Sequence, residues 1–363
     1  MKVGYYAPLP PQPTGVADYA ARLLGLLRRR GEVEVNARRA DVFLYHLGNN
    51  ELHREIYREA LRRPGVVILH DAVLHHFFLG ALDRAAYLEE FVYNYGEWAR
   101  DLAAELWAGR SRSAQDPRYF RYPMLRRIAE VSRAVVVHNP AAARMAREHC
   151  PAARVVEIPF PVWLPERPPE AEILRWRRAA GIEPRTLLLG VFGHLRESKR
   201  LAAVLRAFQQ ARQAGARAAL LLGGRFGSAE LERALAPLMA GVLRAGYLLE
   251  ERSFWKLAAA ADVCVNLRYP AAGETSGLGL TMMGMGKAVV FSAGEEIARL
   301  PEDVCLRVAP GLGERAELAA YIGWLAGRPE AAREMGRRAA AYVCRRHAPE
   351  AAAERYWEIL TSA

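Results

Sequence analysis

Nine short apolar runs recur along the chain: Lys2–Ala7, Val42–His46, Val66–His70, Ala134–His138, Val155–Ile158, Leu187–Phe192, Ala218–Leu222, Val263–Asn266 and Ala288–Phe291. They are rich in β-branched residues and nearly continuous in hydrophobicity, as strands covered on both faces should be. Helical periodicity separates most of them. Val16, Tyr19, Ala20, Leu23, Leu24 and Leu27 keep an i, i+3, i+4, i+7 spacing, and so do Leu201, Val204, Leu205 and Phe208. Alternating strands and helices predict an α/β chain built on doubly wound parallel sheets.

A strand, a glycine-bearing turn and an amphipathic helix begin near residue 2 and again near residue 187. Two such beginnings predict two Rossmann-like domains. At 363 residues the chain exceeds what one core usually serves. The junction is expected in Pro159–Pro169, whose prolines resist helix and sheet. The expected domains are therefore 1–165 and 166–345, followed by a terminal helix in 346–363. Residues 87–127 are helical and aromatic and are expected to form an insertion on the first domain.

The net charge of +11 raises the question of a polyanionic partner. The excess is spread over both halves, and Arg28-Arg29-Arg30 is the longest basic stripe, so nucleic acid is not an expected partner. That stripe suits either a helix C-terminus or peripheral contact with anionic lipid. No run of about 18 apolar residues spans a bilayer. The N-terminus lacks the layout of a signal peptide. Cys150, Cys264, Cys305 and Cys344 are too dispersed for a metal or disulfide framework. A cytoplasmic location is the expectation, with peripheral association at the inner membrane face as its extension.

Ligands of open α/β sheets bind beyond the carboxyl ends of strands. Those ends carry Pro8–Gly15, Gly48-Asn49-Asn50, His70-Asp71, His138-Asn139, Gly193-His194, Gly223-Gly224-Arg225, Asn266-Leu267-Arg268 and Ser292-Ala293-Gly294. The most informative stretch is 273–292, where Glu274 opens a run of hydroxyls and glycines before a short helix. A helix starting at Thr275, Ser276 and Gly277 presents free N–H groups and a positive dipole end, which suits phosphate. Glu274 would be repelled by phosphate and so should face a neutral, hydroxylated group. A phosphate cradle beside a carboxylate predicts a nucleotide-sugar site. Lys199 is one of only four lysines among 51 basic residues, and it begins a helix after a strand end, where it can pair with a pyrophosphate. Gly15 serves as a turn glycine or as an N–H donor to a ligand. His70 suits a hydrogen bond to a sugar. With His75 and His76 it has no carboxylate or cysteine set to complete a metal shell, so no metal site is expected. Gly284–Ala288 resembles the end of a phosphate-binding P-loop, but Thr281 replaces its first glycine and a strand follows it.

Taken together, Pro8–Tyr19, Leu69–His76, Gly193–Arg200 and Gly273–Gly277 resemble bacterial retaining glycosyltransferases of the GT-B fold, in the glycogen-synthase-like family four. The resemblance covers nearly the whole chain in order. It implies two Rossmann-like domains facing a cleft, with the terminal helix crossing back to the first. It implies a hexosyltransferase that moves sugar from a UDP- or GDP-sugar to a saccharide or lipid-linked acceptor. Neither a cofactor nor a metal is needed. By the same resemblance Gly15 covers the donor phosphates and Lys199 binds the diphosphate. His194 stands where the family has an arginine beside Gly193, so Arg196 or Arg200 substitutes. Glu274 holds the donor sugar, and the backbone of Thr275, Ser276 and Gly277 holds the β-phosphate. Gly246 and Tyr247 border the base. Glu274, His70 and Lys199 are the expected catalytic set. The family's second glutamate, expected near Thr281 or Met282, is absent. Two other readings stay open: a nucleotide-sugar epimerase or hydrolase on the same fold, and a non-catalytic partner subunit that binds nucleotide sugar.

Overall fold

The computed structural model describes residues 1–12, 14–246 and 251–363. Its contacts divide the chain into two units. The first comprises Met1–Pro161, Pro270–Thr275 and Pro349–Ala363; the second comprises Val162–Tyr269 and Ser276–Ala348.

The first unit holds a six-stranded sheet: β1 (Lys2–Tyr6), β2 (Glu32–Val35), β3 (Val42–Leu47), β4 (Val66–Leu69), β5 (Ala134–Val137) and β6 (Val155–Glu157). The order is β2-β1-β3-β4-β5-β6, and every pairing is parallel. Leu44, Ile68 and Val136 are fully buried, which is why the central strands lack polar alternation. Aromatic helices between β4 and β5 bury Tyr87, Phe91, Leu106 and Tyr119 in the same core. The terminal helix Pro349–Thr361 packs on the helix Gly15–Leu27, where the buried hydroxyls of Tyr19 and Tyr356 meet at 2.8 Å.

The second unit repeats the plan with β7 (Leu187–Phe192), β8 (Ala218–Gly223), β9 (Val242–Ala245), β10 (Val263–Asn266), β11 (Ala288–Ser292) and β12 (Leu306–Val308). Its parallel order is β12-β11-β10-β7-β8-β9. Relative to β7, successive strands first run to one side and then to the other. That is the dinucleotide-fold order, and it reverses between β7 and β10, where such sheets open a ligand crevice.

The nine strands expected from sequence are all present. β2, β9 and β12 are additional, and each lies at a sheet edge. The segment Pro270–Thr275 lies within the range expected for the second domain but groups with the first unit. Its backbone explains this: Ala272 O accepts from Ala72 N (2.8 Å) and Val73 N (3.0 Å). Gly273 has φ +69°, and a Cβ there would sit 2.7 Å from that of Ala72.

Candidate nucleotide-sugar site

In the second unit, the loops leaving β7 and β10 meet at the sheet's reversal point. After β7 the chain runs through Gly193 and His194 into a single 3-10 turn, Glu197–Lys199. Tyr269 N, from the loop after β10, donates to Ser198 O at 2.8 Å, beside Lys199. The neighbouring Arg268 reaches Ser276 Oγ with a guanidinium nitrogen at 3.3 Å, and Asn266 Nδ2 reaches the same oxygen at 2.7 Å. Ser276 is the N-cap of the helix Gly277–Gly284 and accepts from Gly279 N at 3.1 Å. The cap thus satisfies the third N–H of the helix. The first two, of Gly277 and Leu278, meet no acceptor among the described residues.

The helix lies close under the sheet because Gly279 has no side chain. A Cβ there would lie 2.5 Å from the Phe291 ring and 2.8 Å from Asn266 Nδ2. Arg268 stands at this helix end, and further cations lie around His194 in the loop after β7. Partial burial, followed by the charges of Arg196, Arg225 and Lys199, holds His194 below the usual imidazole range, so it is neutral at pH 7. Lys199 is also close enough to act on the buried thiol of Cys264 in β10. A helix end that combines open N–H groups with nearby cations can stabilise a diphosphate.

Arg200 is engaged elsewhere. At φ +56°, it makes a two-pronged ion pair with the buried carboxylate of Glu314, with nitrogen–oxygen distances of 2.6 to 3.1 Å. No sequence signal marks Glu314 as its partner. Arg196 is exposed, and Gly246 borders open space. Tyr247 lies outside the described residues. Thr281 and Met282, at the place of the missing glutamate, are buried, and the Thr281 hydroxyl donates to Gly277 O at 2.9 Å. The P-loop-like lysine, Lys287, donates to Ala259 O at 2.6 Å.

In the first unit the polar residues gather at the carboxyl ends of β3, β4 and β5. His46 Nδ1 and His70 Nε2 lie 2.9 Å apart, while His46 Nε2 is buried without a partner. The tautomer that leaves no N–H stranded protonates His46 at Nδ1 and makes His70 Nε2 the acceptor. His70 then carries its proton on Nδ1 and can donate from that side. Burial, followed by the neighbouring His46, His138 and His53, holds His70 well below the usual imidazole range, so it is a neutral donor. Asn139 caps the helix Pro140–His149 through Ala142 N, and its amide donates to Gly273 O and Thr275 Oγ1, both at 2.9 Å. Thr275 is thereby tied to the first unit. Glu274 is half-buried and accepts from Ala272 N at 2.6 Å. Gly15 opens its helix behind the Thr14 cap. His75 is a core residue held by Tyr119 O and Tyr87 OH. Among the described residues, no three His, Cys, Asp or Glu side chains gather as a metal site.

No family model matches the chain, and no curated protein matches it in sequence. Solved structures do. HepE of Anabaena in complex with UDP and glucose is 17% identical and superposes with a TM-score of 0.68 over 100% of both chains. The sucrose-phosphate synthase of Thermosynechococcus elongatus is 15% identical, with a TM-score of 0.66 over 100% of both chains. WaaG, a glycosyltransferase involved in lipopolysaccharide biosynthesis, is 16% identical, with a TM-score of 0.65 over 97% of this chain and 98% of its own. With two six-stranded parallel sheets clothed in helices, the chain shares the GT-B fold with these structures.

Proposed function

We propose that the chain is a glycosyltransferase that moves a hexose from a nucleotide-diphosphate sugar to a saccharide or lipid-linked acceptor. One observation carries the reading. At the reversal point of a dinucleotide-fold sheet, Lys199 and the open end of the helix Gly277–Gly284 are joined through Ser198, Tyr269, Arg268 and Ser276. The likeness to HepE, solved with UDP-glucose, favours UDP over GDP as the base-bearing half.

In this reading the diphosphate sits on the Gly277 and Leu278 N–H groups with Lys199 beside it. Both stabilise the charge that grows on the leaving group as the glycosidic bond breaks. Glu274, two residues before the cap, holds sugar hydroxyls. The leaving phosphate oxygen takes the acceptor's proton from the same face, so the anomeric configuration is retained and no second carboxylate is required. Charge is balanced by Lys199 and the helix end, without a metal.

The test is UDP release from UDP-glucose with and without candidate acceptors, with the product followed by proton NMR. Acceptor-stimulated release with a retained anomer, insensitive to chelator, is expected. Binding without turnover for any sugar would place the chain with the non-catalytic partners. Release without acceptor would place it with the hydrolases.

A further inference from the structure

The second unit has another concave surface at the opposite, amino end of its sheet. A cleft of about 1620 Å³ opens beneath β7, β8, β10 and β11 and is roofed by the helices Glu314–Gly327 and Pro329–Arg346. Two of its charges cancel. Asp262 accepts from Arg177 at 3.0 Å and from Leu188 N at 2.8 Å, while Arg177 also donates to Ala260 O and Thr186 O. Lys287 and five arginines, Arg167, Arg178, Arg185, Arg217 and Arg333, remain against the single carboxylate of Glu170. The five guanidiniums are exposed and make no ion pair among the described residues. Lys287 points its ammonium inward on Ala259 O, and burial, opposed by the Asp262 carboxylate and aided by Arg167 and Arg177, holds its pKa below the usual lysine range. A bound anion would relieve that strain on its charge.

Cations crowded into a concave, partly apolar wall focus a positive potential, and guanidinium forks match phosphate oxygens. The lining also includes Leu174 and Trp324, 49% and 37% exposed, which suit a ring or acyl portion next to the charge. We propose that this cleft is a second binding site, for a phosphate-bearing anion, separate from the crevice at the carboxyl ends. Its ligand is either a free phosphorylated molecule or the headgroup of an anionic phospholipid.

The experiment compares the whole chain with an Arg185→Ala/Arg217→Ala variant. One arm titrates inorganic pyrophosphate by calorimetry with UDP present in excess. The other floats the protein with phosphatidylglycerol–phosphatidylcholine vesicles and with phosphatidylcholine alone. Binding of at least one anionic probe is expected, weakened about tenfold or more in the variant, as loss of two charge-assisted contacts implies. UDP affinity and circular dichroism should not change. Pyrophosphate binding identifies a free ligand, and binding to the anionic vesicles alone identifies a lipid. If neither probe binds, or if binding changes by less than that in the variant, the site is overturned.

Discussion

Lys199 is the residue on which the nucleotide reading leans most. Lys199→Ala should weaken UDP binding by about 1.5–3 kcal/mol, the usual worth of a hydrogen bond to a charged group. Calorimetry measures this directly, and an unchanged affinity removes Lys199 from the site. Glu274→Gln should behave differently: transfer should fall steeply while UDP affinity holds, because a carboxylate belongs on the sugar and not on phosphate. Equal losses in rate and affinity would put Glu274 on the nucleotide or in the scaffold. Both residues stand out in the sequence as candidates by their type and their place after a strand. So does the polar end Asn266-Leu267-Arg268, although the convergence of its two polar side chains on Ser276 does not. The pairing of Arg200 with Glu314 was not legible, because 114 residues separate them and only the folded sheet brings them together. The His46–His70 pair was hidden for the same reason: neighbouring strands set it, and the spacing within either strand does not.

Among the elements, the short helix Gly277–Gly284 carries the most consequence. Gly279→Ala must push either Phe291 or the helix itself outward, since a Cβ would stand 2.5 Å from that ring. Overpacking of this kind costs about 1–3 kcal/mol. The urea midpoint should fall, and UDP affinity should fall with it as the two open N–H groups shift. A variant as stable as the parent would mean that the helix does not sit so tightly on β10 and β11. The sequence revealed this helix start through its hydroxyl and glycines, because a cap is a local event. It did not reveal β2, β9 or β12. An edge strand pairs on one side only and can stay short and charged, as Glu-Val-Glu-Val in β2 does, so the apolar signal of a buried strand is missing. Sheet order is also beyond local reading, since crossovers decide it, yet that order sets the reversal point between β7 and β10.

For the molecule as a whole, acid should be a selective stress. His46, His53 and His75 are buried in the first unit, and burial lowers all three, His53 to about 4 and His75 to about 3. In the unfolded chain each takes a proton near pH 6.5. The stability they provide is therefore full above about pH 6.5 and is lost as pH falls toward 4 and 3, by up to about 1.4 kcal/mol per pH unit for each group. Urea midpoints at pH 7.5 and pH 5 should show the drop; equal midpoints would contradict neutral burial. Removing Pro349–Ala363 should destabilise the first unit, because Tyr356 is fully buried and partners Tyr19. On the proposed function, a nucleotide diphosphate is held at the reversal point of the second sheet. A crystal structure of the chain with UDP tests it most directly. The predicted result places the diphosphate within hydrogen-bond distance of the Gly277 and Leu278 N–H groups and of Lys199 Nζ. A diphosphate bound away from that helix end, or no UDP bound at saturating concentration, would contradict it.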